Sequence, residues 1–521
     1  MYSQTEKNII RREKTMAQKE IPMFFITYDE ETFMIENPDV VIHKRLNEHT
    51  KATVSAMVSK DHFDYFSLYT GTKTNVTLTY VTEEKEELLL FVGVVTDVQT
   101  NTEGISQNAV YYISLEAFSY SYLMDIQYKN RSFQNIDMTY EQLLQTVIKD
   151  TEYSGDFMNA LGKSAVLDYF TLQYRETDWE FLKRLASRFH MPLVVDDKAK
   201  VPRIKFGITF YEELAEFKNY NYKAIRSLEK YRTISQNYEP DYLETDTLFY
   251  EIYTENDKTA FEIGDSIRFR EVLFQIYAVD VFVKNHILYH TYVLSSKNSF
   301  YQSNLWNENI VGLSLKGKVL EVANNQLRVH LDIDDTVPPV PYWFTYATLY
   351  STWYCMPETG DYVNTYFPSH NEADGIVINS IKQTPSEGFA RQRAATAQSS
   401  AGEQTEGAAN KPIDFETMAG DEKVKMLVTE QGKMVVLDDR SGVVTILCNN
   451  GTYITLSDGA GISIITSNDV TINAMQNIAM TAKEKVFIQA ETEVKLEAGA
   501  SNITLDTATI KEKATDIYLN D

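Results

Sequence analysis

The sequence contains few of the residues that cross-link, break or bend a chain. Only two cysteines, 12 prolines and 21 glycines occur among 521 residues. Two cysteines without a CxxC pair exclude a disulfide framework and a cysteine metal site, and favour synthesis in a reducing compartment. No window reaches the ~18 to 20 apolar residues of a membrane helix. Residues 1–20 lack an apolar core, so they are not a Sec signal peptide.

Basic residues are also scarce. Lys and Arg number 49 against 74 Asp and Glu, which gives a formal net charge of −25. Such a surface repels phosphate backbones and anionic headgroups, so we expect no nucleic-acid partner and no stable membrane insertion. The 34 tyrosines and 26 phenylalanines favour strands. The length indicates about three or four domains. The expected class is a mainly β, multidomain protein.

Two helices are predicted within a strand-rich N-terminal part. Strand-like runs dominate residues 21–118 and return between 201 and 296. A helix near 139–150 should begin at the capping box of Thr139 and Gln142, and one near 178–190 at that of Thr177 and Glu180. The second helix has an apolar stripe that consists of Phe181, Leu182, Leu185 and Phe189.

Short strands over residues 311–385 are typical of a small barrel. Composition then changes to an Ala-, Gln-, Ser- and Gly-rich linker. Beyond the linker, apolar pairs recur every eight residues, first as Ile446/Cys448 and then six more times before a one-residue slip to Ile503/Leu505. The residues predicted to form an apolar core are Ile446, Ile454, Leu456, Ile462, Ile464, Val470, Ile472, Ile478, Met480, Val486, Ile488, Val494 and Leu496.

A period of eight indicates an assembly of several chains. Residues i and i+2 share one face of a strand, but eight residues cannot enclose a core. Three identical chains that each supply one side of a prism would bury the pairs on a three-fold axis. The repeat therefore predicts a homotrimer, and a single-chain hairpin array or left-handed solenoid is the alternative. Gly459–Gly461 falls between pairs and is predicted to be a turn, not a nucleotide loop.

Four motifs in order resemble one known family. They are FVGVVTDV around Gly93, YLMDIQYKNRSFQNIDMTYEQLLQTVIKD with Arg131 and Phe133, LQYRETDWEFLKRLASRFHMPLVVD, and MPETGDYVNTYF with Pro357, Gly360, Asp361 and Val363. Asn379 stands where that family commonly has glycine. Over roughly residues 21–521, the sequence resembles the VgrG-like hub-and-spike proteins of type VI secretion and contractile phage tails.

This resemblance implies a domain order. It gives an N-terminal extension (1–20), a hub of two β-barrels with helices (21–305), an oligosaccharide/oligonucleotide-binding (OB) barrel (306–385), a linker (386–418) and a triple-stranded β-helix or prism shaft (419–521). Six similar barrels in a trimer would adapt a six-fold tube to a three-fold spike. The implied functions are puncture of target envelopes and carriage of effectors.

The resemblance also implies partners. These are the inner tube hexamer, baseplate proteins, effectors or their adaptors, and a PAAR-like tip protein. The expected tip contacts are Ile517, Tyr518, Leu519, Asn520 and Asp521. Assembly would take place in the cytoplasm before ejection, or in a virion tail. A type VI system, an extracellular injection particle and a phage remain open.

No catalytic, cofactor-binding or metal residues are predicted. The linker and the residues after the last octad leave no room for a hydrolase core. His286 and His290 lack the glutamate of HExxH, His190 is expected to be a helix-end dipole partner, and Asp332, Asp334 and Asp335 are expected in a solvated turn. The barrel aromatics, such as Trp343, are expected to pack against neighbouring chains. A β-solenoid hydrolase and a receptor-binding fibre are the alternatives to a non-enzymatic spike.

Overall fold

A computed structural model describes residues 22–104, 109–149, 153–211, 215–218, 221–237, 247–255, 260–348, 356–381, 423–429, 431–448 and 451–516. The chain divides into two compact units, Met1–Gln383 and Thr384–Asp521. The predicted tip contacts at 517–521 lie outside the described residues.

The first unit begins with a ring of six antiparallel strands in the order β1-β4-β5-β6-β3-β2, which closes because β1 also pairs with β2. Alternating apolar side chains, such as those of Phe24, Ile42 and Leu78, fill its interior. A helix, α1, follows the third strand. The elements are β1 (Met23–Tyr28), β2 (Glu31–Lys44), β3 (Lys51–Val58), α1 (Lys60–Tyr69), β4 (Asn75–Val81), β5 (Glu87–Glu103) and β6 (Val110–Ser119).

Six more strands continue the same sheet through a pairing of β2 with β16. Their order is β12-β15-β16-β17-β14-β13. They are β12 (Ala215–Phe217), β13 (Tyr222–Ser227), β14 (Thr247–Glu255), β15 (Ser266–Phe269), β16 (Val272–Lys284) and β17 (Ile287–Ser295), with a helix α4 (Leu228–Asn237) between β13 and β14.

In the sequence, a helical insert lies between the strands of these two halves of the sheet. Its elements are β7 (Lys129–Phe133), α2 (Tyr140–Leu144), which continues as a π-helical turn (Gln145–Lys149), β8 (Asp156–Asn159), β9 (Thr171–Glu176), α3 (Asp178–Ser187), β10 (Leu193–Val195) and β11 (Arg203–Phe206). Short 3-10 turns occur at Tyr120–Asp125, Lys297–Phe300, Glu308–Ile310 and Glu372–Asp374.

The predicted helix starts are confirmed, but one helix end is wrong. Thr139/Gln142 and Thr177/Glu180 both form reciprocal capping boxes. However, α3 ends at Ser187 and not near residue 190, because the following residues turn back and Met191 donates its N–H to the carbonyl of Ala186. Phe189 therefore lies outside the buried stripe and is 36% exposed.

The first unit ends in a closed five-stranded barrel in the order β18-β19-β20-β22-β21. Its strands are β18 (Ser314–Ala323), β19 (Gln326–Leu331), β20 (Trp343–Tyr346), β21 (Tyr362–Tyr366) and β22 (Ile376–Ile381). Leu327, Val329, Phe344 and Val363 form its core. Asn379 has a φ of +48° and is the extra residue of a bulge between β21 and β22. Glycine and asparagine both tolerate this conformation.

The described residues of the second unit form two antiparallel sheets. A five-stranded meander comprises β23 (Val424–Val428), β24 (Met434–Asp438), β25 (Val443–Leu447), β26 (Tyr453–Ser457) and β27 (Gly461–Ile465). A three-stranded sheet comprises β28 (Glu493–Ala498), β29 (Ser501–Asp506) and β30 (Ile510–Lys513). Residues 466–492 form no strand in the single chain, so the prediction of uninterrupted octad strands fails there. Their apolar pairs face solvent and have no packing partner that would hold a ladder in place.

Candidate functional site

The YRETD motif forms the corner between β9 and α3. Arg175 adopts a φ of +49° where the strand turns, and its N–H is accepted by the side chain of Asn130. Thr177 caps the helix, and its hydroxyl also donates to Asp125. The motif is therefore a structural corner that fixes the start of the helix.

Asp178 links this corner to β7. Its carboxylate lies 2.5 Å from Lys129 Nζ and 2.6 Å from Arg131 Nη2, and it also accepts from the amide of Gln173. The side chain of Asp178 is only 1% exposed. Arg131, the arginine of the arginine–phenylalanine motif, thus helps to neutralise a buried carboxylate. Phe133, the phenylalanine of that motif, stacks on Phe181 in the core.

A second ionic cluster joins α3 to the barrel, and we call it the hub–barrel joint. It consists of Glu176, Arg184, Arg188 and Glu372. Arg184 Nε lies 2.7 Å from Glu176 Oε1, and its Nη1 lies 2.8 Å from Glu372 Oε1. Arg188 Nη2 lies 2.7 Å from the other oxygen of Glu372.

The joint is largely buried and balanced in charge. Glu372, in the 3-10 turn Glu372–Asp374 of the barrel, is 2% exposed and also accepts the N–H of Leu172. Although burial opposes ionisation of Glu372, Arg184 and Arg188 lower its pKa. Two guanidinium groups and two carboxylates therefore bind the barrel to the helical insert through charge-assisted hydrogen bonds.

Two predicted polar groups have other roles at these contacts. Residues 332–335 form the expected turn, with Asp332 and Asp335 exposed, but the side chain of Asp334 is largely buried. It accepts from the backbone N–H of Ser132 at 2.7 Å and from the same residue's hydroxyl. Burial raises the pKa of Asp334. His190 follows α3 with a φ of +55°, stacks on Tyr301 and hydrogen-bonds the carbonyl of Gln302 through Nδ1 at 2.9 Å.

His286 and His290, which were not predicted to form a metal site, lie in different elements. His286 lies in the turn between β16 and β17, and His290 lies within β17 and is buried. Burial lowers the pKa of His290 to about 4. Within the described residues, no group of three or more His, Cys, Asp and Glu side chains could hold a metal ion.

Sequence reasoning missed a buried lysine at the end of β2, where that strand pairs with β16. Lys44 Nζ lies 3.0 Å from Asp197 and 2.9 Å from Glu262, and Lys198 also binds Glu262 at 2.8 Å. Burial raises the pKa of Asp197 to about 6. Against the effect of burial, the two lysines lower the pKa of Glu262 to about 2. Lys44, Asp197 and Glu262 are far apart in sequence, so no local pattern reveals the cluster.

The predicted octad residues share an exposed face in the meander, which we call the octad face. Ile446 pairs with Ile454, which pairs with Ile464. Leu456 pairs with Ile462 in the next row. Val444, and not Cys448, stands opposite Leu456.

Most of the predicted core is exposed in the single chain. Ile454 and Val494 are half-buried, whereas the other eleven residues of the predicted set are between 43% and 72% exposed. The opposite face of the meander contains the buried Val424, Met434, Val436 and Leu447. The octad face is thus a continuous apolar surface that the described part of the chain does not cover.

The one-residue slip after the octads has a local cause. Ser457 pairs with Gly461, so three residues connect β26 to β27. Ala498 pairs with Ser501, so two residues connect β28 to β29, and Gly499 takes a φ of +60° there. The shorter turn keeps Val494 opposite Leu505, and the apolar pairs stay on one face.

Part of the chain matches the model of a known protein family. Residues 43–189 match the model of a family described as phage tail baseplate hub (GPD). No curated protein matches the sequence. None of the helices in the described part of the chain is long and apolar enough to cross a membrane.

Solved structures resemble nearly the whole chain. The Francisella PdpA–VgrG complex in its half-lidded form aligns with a TM-score of 0.53 and 7% identity, over 88% of this chain and 91% of that chain. The lidless PdpA–VgrG complex aligns with a TM-score of 0.52 and 8% identity, over 86% and 98%.

The E. coli c3393 protein also aligns, with a TM-score of 0.48 and 14% identity, over 68% of this chain and 99% of that chain. It is described as a type VI secretion component with structural similarity to T4 bacteriophage tail proteins gp27 and gp5. Over 88% of its length the chain has a VgrG-like fold, which confirms the resemblance predicted from its sequence.

Proposed function

We propose that this chain is the trimeric central hub and spike of a contractile injection machine of the type VI kind. Three hubs adapt a six-fold tube to a three-fold shaft, and contraction drives the shaft mechanically through a target envelope. The family match and the VgrG-like fold support the hub and spike parts of this proposal.

The octad face is the observation that carries the trimer. Isolated apolar side chains on a surface are ordinary, but a two-row ladder over successive strands is an association surface. Burial of each of these aliphatic side chains would contribute about 1.5 to 3 kcal/mol of transfer free energy. The single chain does not gain this free energy, because it leaves the side chains exposed. Three copies whose octad faces meet on one axis satisfy the repeat as a triple-stranded β-helix.

The proposed partners follow from this assembly. They are the inner tube hexamer and baseplate proteins at the hub, and a PAAR-like protein at the tip. Effectors or their adaptors travel with the complex, and the PdpA–VgrG complexes among the similar structures are in line with a bound partner of that kind. On this proposal the barrel β18–β22 is an OB fold that works as a neck and has no catalytic role.

Two adjacent positions in β27 test the octad face. Ile464 lies on it, and Ser463 lies on the opposite face, yet both are exposed in the single chain. Ile464→Asp would bury three carboxylates together on the axis, whereas Ser463→Asp would not. We expect the first variant to lose the trimer and the second to keep it, as measured by analytical ultracentrifugation. Equal behaviour of the two variants would refute the proposed axis.

A phage tail baseplate hub is the second candidate. It is favoured by the description of the family that matches residues 43–189. Both machines need the same trimer, so the oligomeric state does not distinguish them. The neighbouring genes do. Neighbouring sheath, tube and membrane-complex genes would support type VI secretion, and capsid genes would support a phage.

A further inference from the structure

The apolar surface of the meander begins before the first octad. Val435 of β24 pairs with Ile446, and Leu427 of β23 pairs with Val435, so both continue one row of the octad face. Leu437 continues the other row through its pairing with Val444. Leu427 and Leu437 are 51% and 45% exposed. The same apolar surface therefore extends across all five strands of the meander.

A second one-residue slip separates β24 from the octads. Asp438 pairs with Val443, so four residues connect β24 to β25, whereas three connect β26 to β27. The residues on the octad face are therefore odd-numbered in β23 and β24 and even-numbered through the octads. After the two-residue turn at 499–500 they are odd-numbered again. The seven octads thus lie between two slips of one residue each.

Specific contacts hold the first of these turns. The carboxylate of Asp438, which is 7% exposed, accepts from Arg440 Nε at 3.1 Å and from the hydroxyl of Ser441 at 3.0 Å. Gly442 has a φ of +60°, and a Cβ at this position would lie 2.6 Å from a carboxylate oxygen of Asp458. The length of the four-residue turn is therefore fixed by its own contacts.

The octads alone do not define how three copies are aligned along a common axis. In a three-fold assembly, residues with the same number lie at the same height. Because the pattern repeats every eight residues, a copy displaced by eight still presents apolar pairs to apolar pairs, as with Leu456 beside Ile464. Residues 382–422 separate the barrel from β23, and a segment of that length can span such a displacement.

The two slips exclude this displacement. A shift of eight residues sets Val435, on the octad face, level with Val443, on the opposite face. At the other end it sets Ile503 level with Lys495, which forms an ion pair with Glu497 on the opposite face of β28. A mismatch of one residue moves the apolar side chains of a strand to the wrong face. A displaced copy is therefore mismatched at both ends.

The slips lie in structure that the single chain already forms. Residues 466–492 form no strand there, so they do not fix the alignment. The meander on one side contains the first slip, and the sheet of β28, β29 and β30 on the other side contains the second. The alignment is thus specified at the two ends of the repeat.

We propose that the turns at 439–442 and 499–500 set the axial register of three copies, so that only chains aligned residue for residue satisfy both turns. The apolar pairs supply the attraction between copies, and the two slips specify the alignment. Irregular positions that disfavour alternative pairings are a general means of specifying register in repetitive assemblies. The inference rests on the proposed trimer and assigns these two turns a role in it.

Distances between spin labels on different copies test the alignment. Ser463 lies on the opposite face of β27 from Ile464 and is exposed in the single chain. Full-length chains with Cys355→Ser, Cys448→Ser and Ser463→Cys would be labelled and studied by pulsed electron paramagnetic resonance. Three aligned copies are related by a three-fold axis, so we expect one distance between labels. Displacement of one copy by eight residues would add a second, longer distance.

A labelled variant without the slips provides the comparison. Deletion of Ala500 restores the eight-residue spacing after Leu496, and Val435→Thr with Leu437→Thr removes the apolar side chains of β24 from the octad face. We expect this variant to keep the mass of three chains and to give more than one distance between labels. The matched control carries Ala500→Ser, Lys483→Thr and Lys485→Thr, which change neither a turn length nor an octad position, and should give one distance.

The outcomes separate the register from the trimer. One distance in the parent and the control, with several in the variant, supports the proposed role of the turns. One distance in the variant, or several in the parent, overturns that role and leaves the trimer. A single-chain mass of the parent with no distance between chains overturns the trimer as well.

A milder variant covers loss of assembly. If the variant without slips does not have the mass of three chains, deletion of Ala500 alone takes its place. Because the turn at 439–442 is then intact, we expect a smaller population of the longer distance. One distance in this variant would overturn the role of the turn at 499–500.

Discussion

At the scale of single residues, the hub–barrel joint brings four charged side chains together in a largely buried cluster. Arg184 is 3% exposed and contacts both Glu176 and Glu372. Such a cluster is weak evidence for net stability, because two ion pairs must be desolvated. Removing one member is different, since it leaves the remaining charges buried without compensation.

We therefore expect Arg184→Ala to lower the free energy of unfolding by about 3 to 5 kcal/mol. The adjacent Lys183 is only half-buried, so Lys183→Ala should cost well under about 1 kcal/mol. Urea denaturation of the full-length variants, followed by tryptophan fluorescence, measures both. A loss of similar size in the two variants would show that the joint has no special role.

His290 makes stability depend on pH. Its pKa is about 4 in the folded chain because of burial, against 6.5 for the ordinary side chain. The unfolded chain therefore binds a proton first as pH falls. The stability that neutral His290 contributes is complete above pH 6.5 and is lost progressively as pH falls towards 4, by about 3 kcal/mol in total.

Comparison of the wild-type chain with His290→Gln isolates this effect. Nearby charges on Lys44, Lys198 and Glu262 influence His290, but they are present in both proteins. The free energy of unfolding, measured between pH 7 and 4, should fall more steeply in the wild-type chain. Parallel pH profiles would contradict the assignment.

Local residue roles were predictable from sequence, and distant ones were not. The capping boxes at Thr139 and Thr177 depend on residues three apart, so they follow from the sequence. The contact of Arg184 with Glu372 joins residues that only the tertiary fold brings together. The same holds for Lys44 with Asp197, and no one-dimensional pattern marks either pair.

At the scale of elements, the bulge at Asn379 explains a departure from the family pattern. Its φ of +48° suits glycine and asparagine, but a β-branched side chain is strained there. We expect Asn379→Gly to change the free energy of unfolding by only a few tenths of a kcal/mol, and Asn379→Val to lower it by about 1 to 2 kcal/mol. Thermal melts of the two variants provide the comparison, and a neutral Asn379→Val would rule out a strained bulge.

Two elements differ from the sequence predictions for physical reasons. Helix α1 was missed because its KDHFDYFSLY sequence is rich in aromatic residues that favour strands, and only Phe66 is buried. Conversely, octad strands were expected throughout residues 469–499, yet only the last pair, Val494/Leu496, lies in a strand. Strand propensity alone does not hold a ladder whose apolar side chains have nothing to pack against.

At the scale of the whole molecule, the sequence predicted the class of fold from the octads and the ordered motifs. Two barrels in the hub were expected only through the family resemblance. The slip at residues 439–442 emerges from the pairing of β24 with β25, which no composition or periodicity reveals. The octad face gives this single chain a surface that suits copies of itself.

The central claim is that three copies of the chain assemble through this face. Sedimentation equilibrium or native mass spectrometry of the purified full-length protein measures this directly. One chain has a mass of 59.8 kDa, and the proposal predicts a stable species with the mass of three chains that persists on dilution. A stable monomer at the same concentrations would contradict the trimeric hub and spike.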